Sequence, residues 1–491
     1  LYHICKKIGD NPVKIKHKPL KRHEKIQPDL CGLTAAVLPS LYASGAVSPL
    51  DVTVAVLDRI RDYNPQLNAF CLVDAKSAIA AAKASDKRWR AGRPQGALDG
   101  VPVSVKDWFH VRGWPTRFGS RLSSDAAQKT DSPAVARLRE AGAVFIGKTT
   151  LPEYGHKGVT DSPLYGITRN PWDDRKTSGG SSGGGAVAAA CGMGALHMGS
   201  DAGGSVRIPA SFCGVAAFKP SPGIVPSFPP SLFSTLSAIG PMARSIRDCA
   251  LMLDVIAAPD AQGRTPDWHA LPLEKPFFAA AIDAPLPRLK IAFAPQINDV
   301  KMNPDVALVI NAQLRHLRKL GRVDIVHLDV PDIIDVFNKH WMAVASHMLA
   351  GYTAAQKRKT DPRLVHWAAR GDKLPLHGYL AAERARMDIG AYFKSVLDDY
   401  DILVTPTTAM AAFDAGANMP KDAKGKPWED WTPFTYGANL ARLPAASIPA
   451  GLTAAGLPAG LQIMAGYLKD ALVLQTAHAL EQKIAFDPWS P

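Results

Sequence analysis

The sequence predicts an α/β protein built on a central, largely parallel or mixed β-sheet with helices on both faces. Two observations carry this expectation. Short β-rich runs alternate with segments that begin with strong helix-start signals. In addition, 47% of the 491 residues are apolar and 21% charged, which supplies material for a sizeable core.

The first helix signal is Ser48-Pro49 ahead of Leu50–Tyr63, with Ser48 as N-cap, Pro49 at the first helical position and Asp51 at the third. Ser132-Pro133 repeats the signal for Ala134–Ala141, and Gly142 is placed to end that helix. Strands are expected at Val101–Val105, Ala143–Ile146, Lys290–Phe293, Val323–Leu328, Ile402–Val404, Ala446–Ile448 and Leu461–Met464. The Pro/Gly-rich stretches 220–230 and 405–430 read as long surface loops of the kind that carry function. No internal repeat and no low-complexity linker divides the chain.

Formal net charge is +13, which raises nucleic acid or an anionic membrane surface as partners. The distribution argues against both. Residues 1–26 hold eight Lys/Arg against two acids, so nearly half of the excess sits in a short stretch without helical periodicity. Residues 1–30 are expected as a basic, flexible, solvated tail, with a weak polyanion anchor as the alternative, and residues 31–491 as a single domain. The tail lacks the apolar core of a secretory signal. No run of about 18 apolar residues predicts a membrane span. The six cysteines form no CxxC and no zinc-spaced cluster, so a reducing, cytoplasmic location and no structural metal are expected.

The segment Thr177–Gly214 is the chemical centre of the sequence. Two Gly/Ser clusters, Gly179–Gly185 and Gly203–Ser205, flank an Ala-rich helical stretch and a short apolar strand. Such glycines let backbone approach a ligand closely. A phosphate-binding loop would need a Lys after the glycines, and none is there. A dinucleotide fingerprint carries little weight in so glycine-rich a run, and a flexible linker would not continue straight into a helix and a strand. Gly179–Gly183 also satisfies the nucleophile-elbow pattern G-x-S-x-G, which needs an acid and then a His downstream. His366 and His377 are available but lie in no recognisable context. Cys213 has no paired His and is a poor nucleophile candidate.

Further segments point one way. They are Gly100-Val101-Pro102-Val103-Ser104-Val105-Lys106-Asp107, Asn170-Pro171-Trp172, Gly179–Gly184, Ser200-Asp201-Ala202-Gly203-Gly204-Ser205-Val206-Arg207, Phe212-Cys213-Gly214 with Lys219-Pro220, and Gly456–Gln462. In this order and spacing the chain, from about Leu33 onward, resembles the amidase signature family of serine amidohydrolases, with the signature core at about 100–220. The resemblance implies a catalytic triad of Ser205 as nucleophile, Ser181 as bridging serine on a cis peptide after Gly180, and Lys106 as base. It implies an oxyanion hole from the backbone N–H groups of Ala202, Gly203, Gly204 and Ser205, and substrate contact at Gly155 and Gly180. Ser182, Asp201 and Arg207 take structural roles in this reading. No cofactor and no metal is implied, and the assembly expected is a monomer or homodimer without nucleic acid or membrane. Gly155 stands where a larger residue often shapes the pocket, Gly185 replaces a Ser or Ala, and Ser221 replaces a Thr.

Elementary chemistry fits this pattern. A serine hydroxyl needs a base, and a lysine serves only when neutral. Lys106 closes the apolar strand Val101–Val105, and burial there disfavours its ammonium. The implied reaction is acyl transfer to water from an amide, with anilides, carbamates and esters open to the same machinery. The family alternative is the glutaminase subunit of a tRNA-dependent amidotransferase. Loops 225–237 and 405–435, with Phe228, Phe233, Met410, Phe413, Met419, Trp428, Trp431 and Phe434, are expected to line an aromatic pocket.

Overall fold

The computed structural model describes residues 29–259, 267–273, 277–421 and 431–487. The expected basic tail lies outside the described residues up to residue 28, and so does Trp428.

The two signalled helices form. Helix α1, Pro49–Leu67, opens with a reciprocal cap: Ser48 Oγ accepts from Asp51 N–H at 3.1 Å and Asp51 accepts from Ser48 N–H at 3.2 Å. It runs a turn beyond Tyr63 because Asn68, with φ +52°, provides the left-handed stop. Helix α2, Pro133–Glu140, forms without a side-chain cap from Ser132, and its chain reverses at Gly142, with φ +84°. A Cβ at Gly142 would stand 2.8 Å from the Asp99 backbone, so no other residue fits this turn. Helices α3 (Gly183–Ala190), α4 (Arg207–Cys213), α5 (Ile333–Leu349), α6 (Leu376–Asp399) and α7 (Pro433–Leu440) complete the surroundings of the site.

Eleven strands make one sheet: β1 Phe70–Val73, β2 Pro102–Lys106, β3 Val144–Thr149, β4 Leu196–Asp201, β5 Ala216–Lys219, β6 Ala238–Ala243, β7 Leu289–Phe293, β8 Gly321–Ile325, β9 Ile402–Pro406, β10 Ala445–Leu452 and β11 Pro458–Met464. Their order is β1-β3-β2-β4-β6-β5-β10-β11-β9-β7-β8. Strands β3, β2 and β4 run parallel, as do β9, β7 and β8, while the middle of the sheet is antiparallel. Every strand expected from sequence is present within a few residues. The largest shift is β8, which pairs Gly321–Ile325 with Leu289–Phe293 and ends before Leu328. Leu328 makes an isolated bridge to Ile297 instead.

Side chains alternate along a strand, so a sheet covered on both faces feeds two cores. In β7, Ile291 and Phe293 join one core and Ala292 the other; in β9, Ile402 and Val404 separate in the same way from Leu403. The second core holds α5, with Val336, Phe337 and Trp341, and α7, with Phe434 and Ala438. No helix among the described residues is long and apolar enough to cross a membrane.

Register positions the chemistry. Val105 of β2 pairs with Met198 of β4, so Lys106, one residue on, lies beside the Gly199–Ser200 end of its parallel neighbour. Carboxyl ends of parallel strands are where open α/β sheets place their ligands.

Candidate active site

Lys106 is fully buried at the end of β2. Its Nζ lies 2.7 Å from Ser181 Oγ, 2.9 Å from Ser182 Oγ and 3.0 Å from Ser200 Oγ. Burial pushes its pKa down to about 7, against the opposing pull of the Asp201 carboxylate. Burial thus favours the neutral amine at this position. Such an amine gives two hydrogens and accepts one. The hydroxyl of Ser182 is committed, because it donates to the Ser200 carbonyl at 3.2 Å. The hydroxyls of Ser181 and Ser200 are the ones left to donate to Nζ.

Ser181 and Ser182 immediately precede α3, and the Gly180–Ser181 peptide is cis. Close packing dictates the glycines here. A Cβ on Gly180 would meet the Val159 backbone at 2.6 Å, so that side of Gly180 faces protein and not the cavity. A Cβ on Gly155, with φ +63°, would stand 3.3 Å from Ser181 Oγ. Ser205 lies in the turn between β4 and α4, nearly buried, and its carbonyl accepts from Ser182 N–H at 3.0 Å.

The turn is fixed from beneath by buried polar groups. The Asp201 carboxylate accepts from Gly204 N–H at 2.7 Å, from Val206 N–H at 3.2 Å and from Arg207 at 2.9 and 3.0 Å. Burial works against the Asp201 anion, but the Arg207 guanidinium outweighs it and holds the carboxyl well below the usual range. Arg207 also donates to Gln462 Oε1 at 2.6 Å, to the Thr435 carbonyl at 3.0 Å and to Asn439 Oδ1 at 2.5 Å. The expected structural roles of Asp201 and Arg207 thus have named partners. Gly204 N–H, expected as an oxyanion donor, points instead at Asp201 Oδ1.

Two cavities meet at Ser205. The larger is walled by Phe337, Trp341, Trp431 and Tyr436 and reaches His156 and Asn338. The smaller contains Ser181 and Ser200 and is walled by Trp108, Tyr154, Gly155 and Phe233. Phe233, Trp341, Phe337 and Tyr436 stack in series, with ring centroids 4.4, 5.2 and 3.8 Å apart. Of the pocket residues expected from the loops, Phe233 and Trp431 line these cavities. Phe434 lies in the core behind, Phe413 packs on Phe212 and Trp431, Phe228 is 48% exposed, and Met410 and Met419 are half-buried outside both linings.

Sequence reasoning missed the aromatic wall of α5, because cavity-facing Phe337 and Trp341 follow the same helical spacing as core residues. It also missed His156, which sits in the cavity with Nδ1 on the Glu153 carbonyl at 2.7 Å and Nε2 3.6 Å from Asp361. His366 and His377 are exposed. Among the described residues no three His, Cys, Asp or Glu side chains group as a metal site requires.

The buried Lys106 thus stands against the Ser181-Ser182 turn, which is hydrogen-bonded to the Ser205 loop, and comparison with known proteins supplies the family. The amidase family model matches residues 51–474, and the chain belongs to the amidase signature family. It is 33% identical to an acylamidase of Rhodococcus erythropolis, over 94% of this chain and 97% of that protein. It is 34% identical to an indoleacetamide hydrolase of Bradyrhizobium diazoefficiens, over 90% and 84%. A glutamyl-tRNA(Gln) amidotransferase component from Chromobacterium violaceum is 33% identical, over 92% and 98%. Among solved structures, a bacterial aryl acylamidase of the amidase signature family superimposes with a TM-score of 0.85 at 27% identity, covering 94% of this chain and 99% of that one. The protein is accordingly a hydrolase acting on amide C–N bonds.

Proposed function

We propose that the protein cleaves amides through an acyl-enzyme on Ser205, with Ser181 as proton relay and neutral Lys106 as base. Ser205 Oγ attacks the carbonyl carbon and passes its proton to Ser181 Oγ, whose own proton goes to Lys106 Nζ. The oxyanion is held by backbone N–H groups of the 202–205 turn. On collapse Lys106 returns a proton through Ser181 to the nitrogen, the C–N bond breaks and the amine leaves. Water then adds to the Ser205 ester by the same route and releases the acid. Carbamates and esters present the same carbonyl and are expected as further substrates. The observation that carries this reading is the buried Lys106 Nζ at 2.7 Å from Ser181 Oγ, with its pKa lowered to about 7.

The departing nitrogen must lie near Ser181 to be protonated. It therefore belongs in the smaller cavity, which contains Ser181, and the acyl group in the larger aromatic one. This supports a substrate with an aryl or arylalkyl acyl group and a modest amine. The glutaminase reading is favoured by the amidotransferase relative, but a wall of four aromatic rings suits the side chain of glutamine poorly. The test is hydrolysis of a panel: an arylacetamide, a p-nitroanilide, an aryl carbamate and free glutamine, by wild type and Ser205→Ala. Turnover of aromatic amides lost with Ser205 supports the proposal; turnover of glutamine alone, or none without partner proteins, favours the amidotransferase reading.

A further inference from the structure

One peptide of the Ser205 turn is held at both ends by buried side chains. The Gly203 carbonyl accepts from Thr435 Oγ1 at 2.7 Å, and the N–H of the same peptide unit, that of Gly204, donates to Asp201 Oδ1 at 2.7 Å. Thr435 and Asp201 are both fully buried. The contact is close: a Cβ on Gly204, where φ is +120°, would meet Thr435 Oγ1 at 2.5 Å. Thr435 Oγ1 is also 3.0 Å from the Thr432 carbonyl, a longer contact for its single hydrogen. The Thr435 carbonyl takes Arg207 Nη1 at 3.0 Å, so α7 grips the turn on both sides of Ser205.

A peptide unit is planar, so fixing its carbonyl and its N–H fixes the plane. The two neighbouring peptides, which carry Gly203 N–H and Ser205 N–H, join this plane through φ and ψ at Gly203 and Gly204 alone, so fixing it narrows the directions those N–H groups can take. We propose that Thr435 is a positioning residue for oxyanion stabilisation: its hydroxyl locks the Gly203–Gly204 peptide so that Gly203 and Ser205 N–H groups serve the oxyanion while Gly204 N–H stays on Asp201. The inference rests on the reading of Ser205 as nucleophile. It accounts for a threonine, rather than an apolar residue, beneath the turn on a helix that also supplies Tyr436 to the cavity wall.

Losing an oxyanion donor outright costs about 10²–10³ in kcat, and misaiming donors that remain costs less. Thr435→Val, which keeps the shape and loses the hydroxyl, is expected to lower kcat on an arylacetamide roughly 10–100-fold, with KM nearly unchanged. Thr435→Ser should recover most of the loss. Affinity for an aryl trifluoromethyl ketone, which adds to Ser205 and leaves its oxygen as an oxyanion, should fall with kcat, while affinity for the product acid should not. Thr435→Val with wild-type kcat, or Thr435→Ser as impaired as Thr435→Val, would overturn the proposal. Independently of any variant, a crystal structure of the wild-type adduct should show the hemiketal oxygen on Gly203 N and Ser205 N, with Gly204 N still on Asp201. A hemiketal oxygen bonded to Gly204 N would refute it. Ser205→Ala is the control: if that variant turns over amide or binds the ketone covalently, the underlying reading of Ser205 fails, and not merely the role of Thr435.

Discussion

Ser182 holds Lys106 while its own hydrogen is committed elsewhere. Its Oγ accepts from Lys106 Nζ at 2.9 Å and spends its own hydrogen on the Ser200 carbonyl at 3.2 Å. Ser181, at 2.7 Å from the same nitrogen, has no such commitment and sits in the cavity. In the proposed mechanism the two adjacent serines thereby divide into a brace and a relay.

Their substitutions should differ accordingly. Ser181→Ala removes the relay and is expected to lower kcat by about 10²–10⁴-fold, the range of a lost proton-transfer group. Ser182→Ala removes one hydrogen bond to Lys106 and should cost on the order of tenfold. Steady-state kinetics of the pair, with thermal melts to check folding, distinguishes them. Equal losses would contradict the division of roles.

On the proposed mechanism the lysine makes activity depend on pH. With a pKa lowered to about 7 by burial, Lys106 would be protonated and inactive in acid and neutral in base. The rate, kcat/KM, should rise from pH 5 and level off above about pH 8. A flat profile from pH 5 to 9 would exclude a neutral-lysine base.

Stability follows the same group with a defined sign. Between about pH 7 and the ordinary lysine range near 10.4, the unfolded chain holds a proton that folded Lys106 has lost. Folding stability therefore rises with pH through that window, and the burial penalty is fully present below it. Lys106→Met carries no such penalty. Its melting temperature relative to wild type should be highest near pH 6 and should decline toward pH 10. A pH-independent difference would show that Lys106 titrates normally.

Gly155→Ala should be poorly tolerated. The position has φ +63°, which costs a non-glycine residue about 1–2 kcal/mol, and the new Cβ would press on Ser181 Oγ at 3.3 Å. A fall in kcat larger than the loss of stability predicts, read from parallel kinetics and urea denaturation, is the expected result. Unchanged kcat would mean that Ser181 has room to move.

Arg207→Met leaves the fully buried Asp201 carboxylate without its counter-ion. Breaking such a pair typically costs about 3–5 kcal/mol, measurable by urea denaturation. A loss under about 1 kcal/mol would show that Asn439 and the turn amides suffice for Asp201.

The candidate site was legible in the sequence because short local patterns mark it. Lys106 ends an apolar strand, and Ser181 and Ser205 lie in glycine turns where a Cβ would meet the Val159 backbone at Gly180, the Phe337 ring at Gly203 and the Thr435 side chain at Gly204. The start of α1 was legible for the same reason, since Ser48 and Asp51 cap each other within one turn. Strands β1, β5 and β6 were not anticipated. Ala238–Ala243 reads AIGPMA, with a glycine and a proline and little β-branching, and it becomes a strand through pairing on both sides. The clamp by Thr435 and the braces from Asn439 and Gln462 join residues more than 200 positions apart, and no local pattern marks them. The aromatic pocket was assigned to loops because loops carry most specificity, whereas α5 supplies Phe337 and Trp341.

The most direct test is to trap the covalent intermediate. Wild-type protein is mixed with an aryl carbamate or slow aryl ester, quenched in acid within the first turnovers, digested with trypsin and sequenced by tandem mass spectrometry. The account predicts the acyl mass on Ser205, in the peptide ending at Arg207, and its absence in Ser205→Ala. An acyl group on another residue such as Ser181 or Cys213, or full turnover by Ser205→Ala, would contradict it.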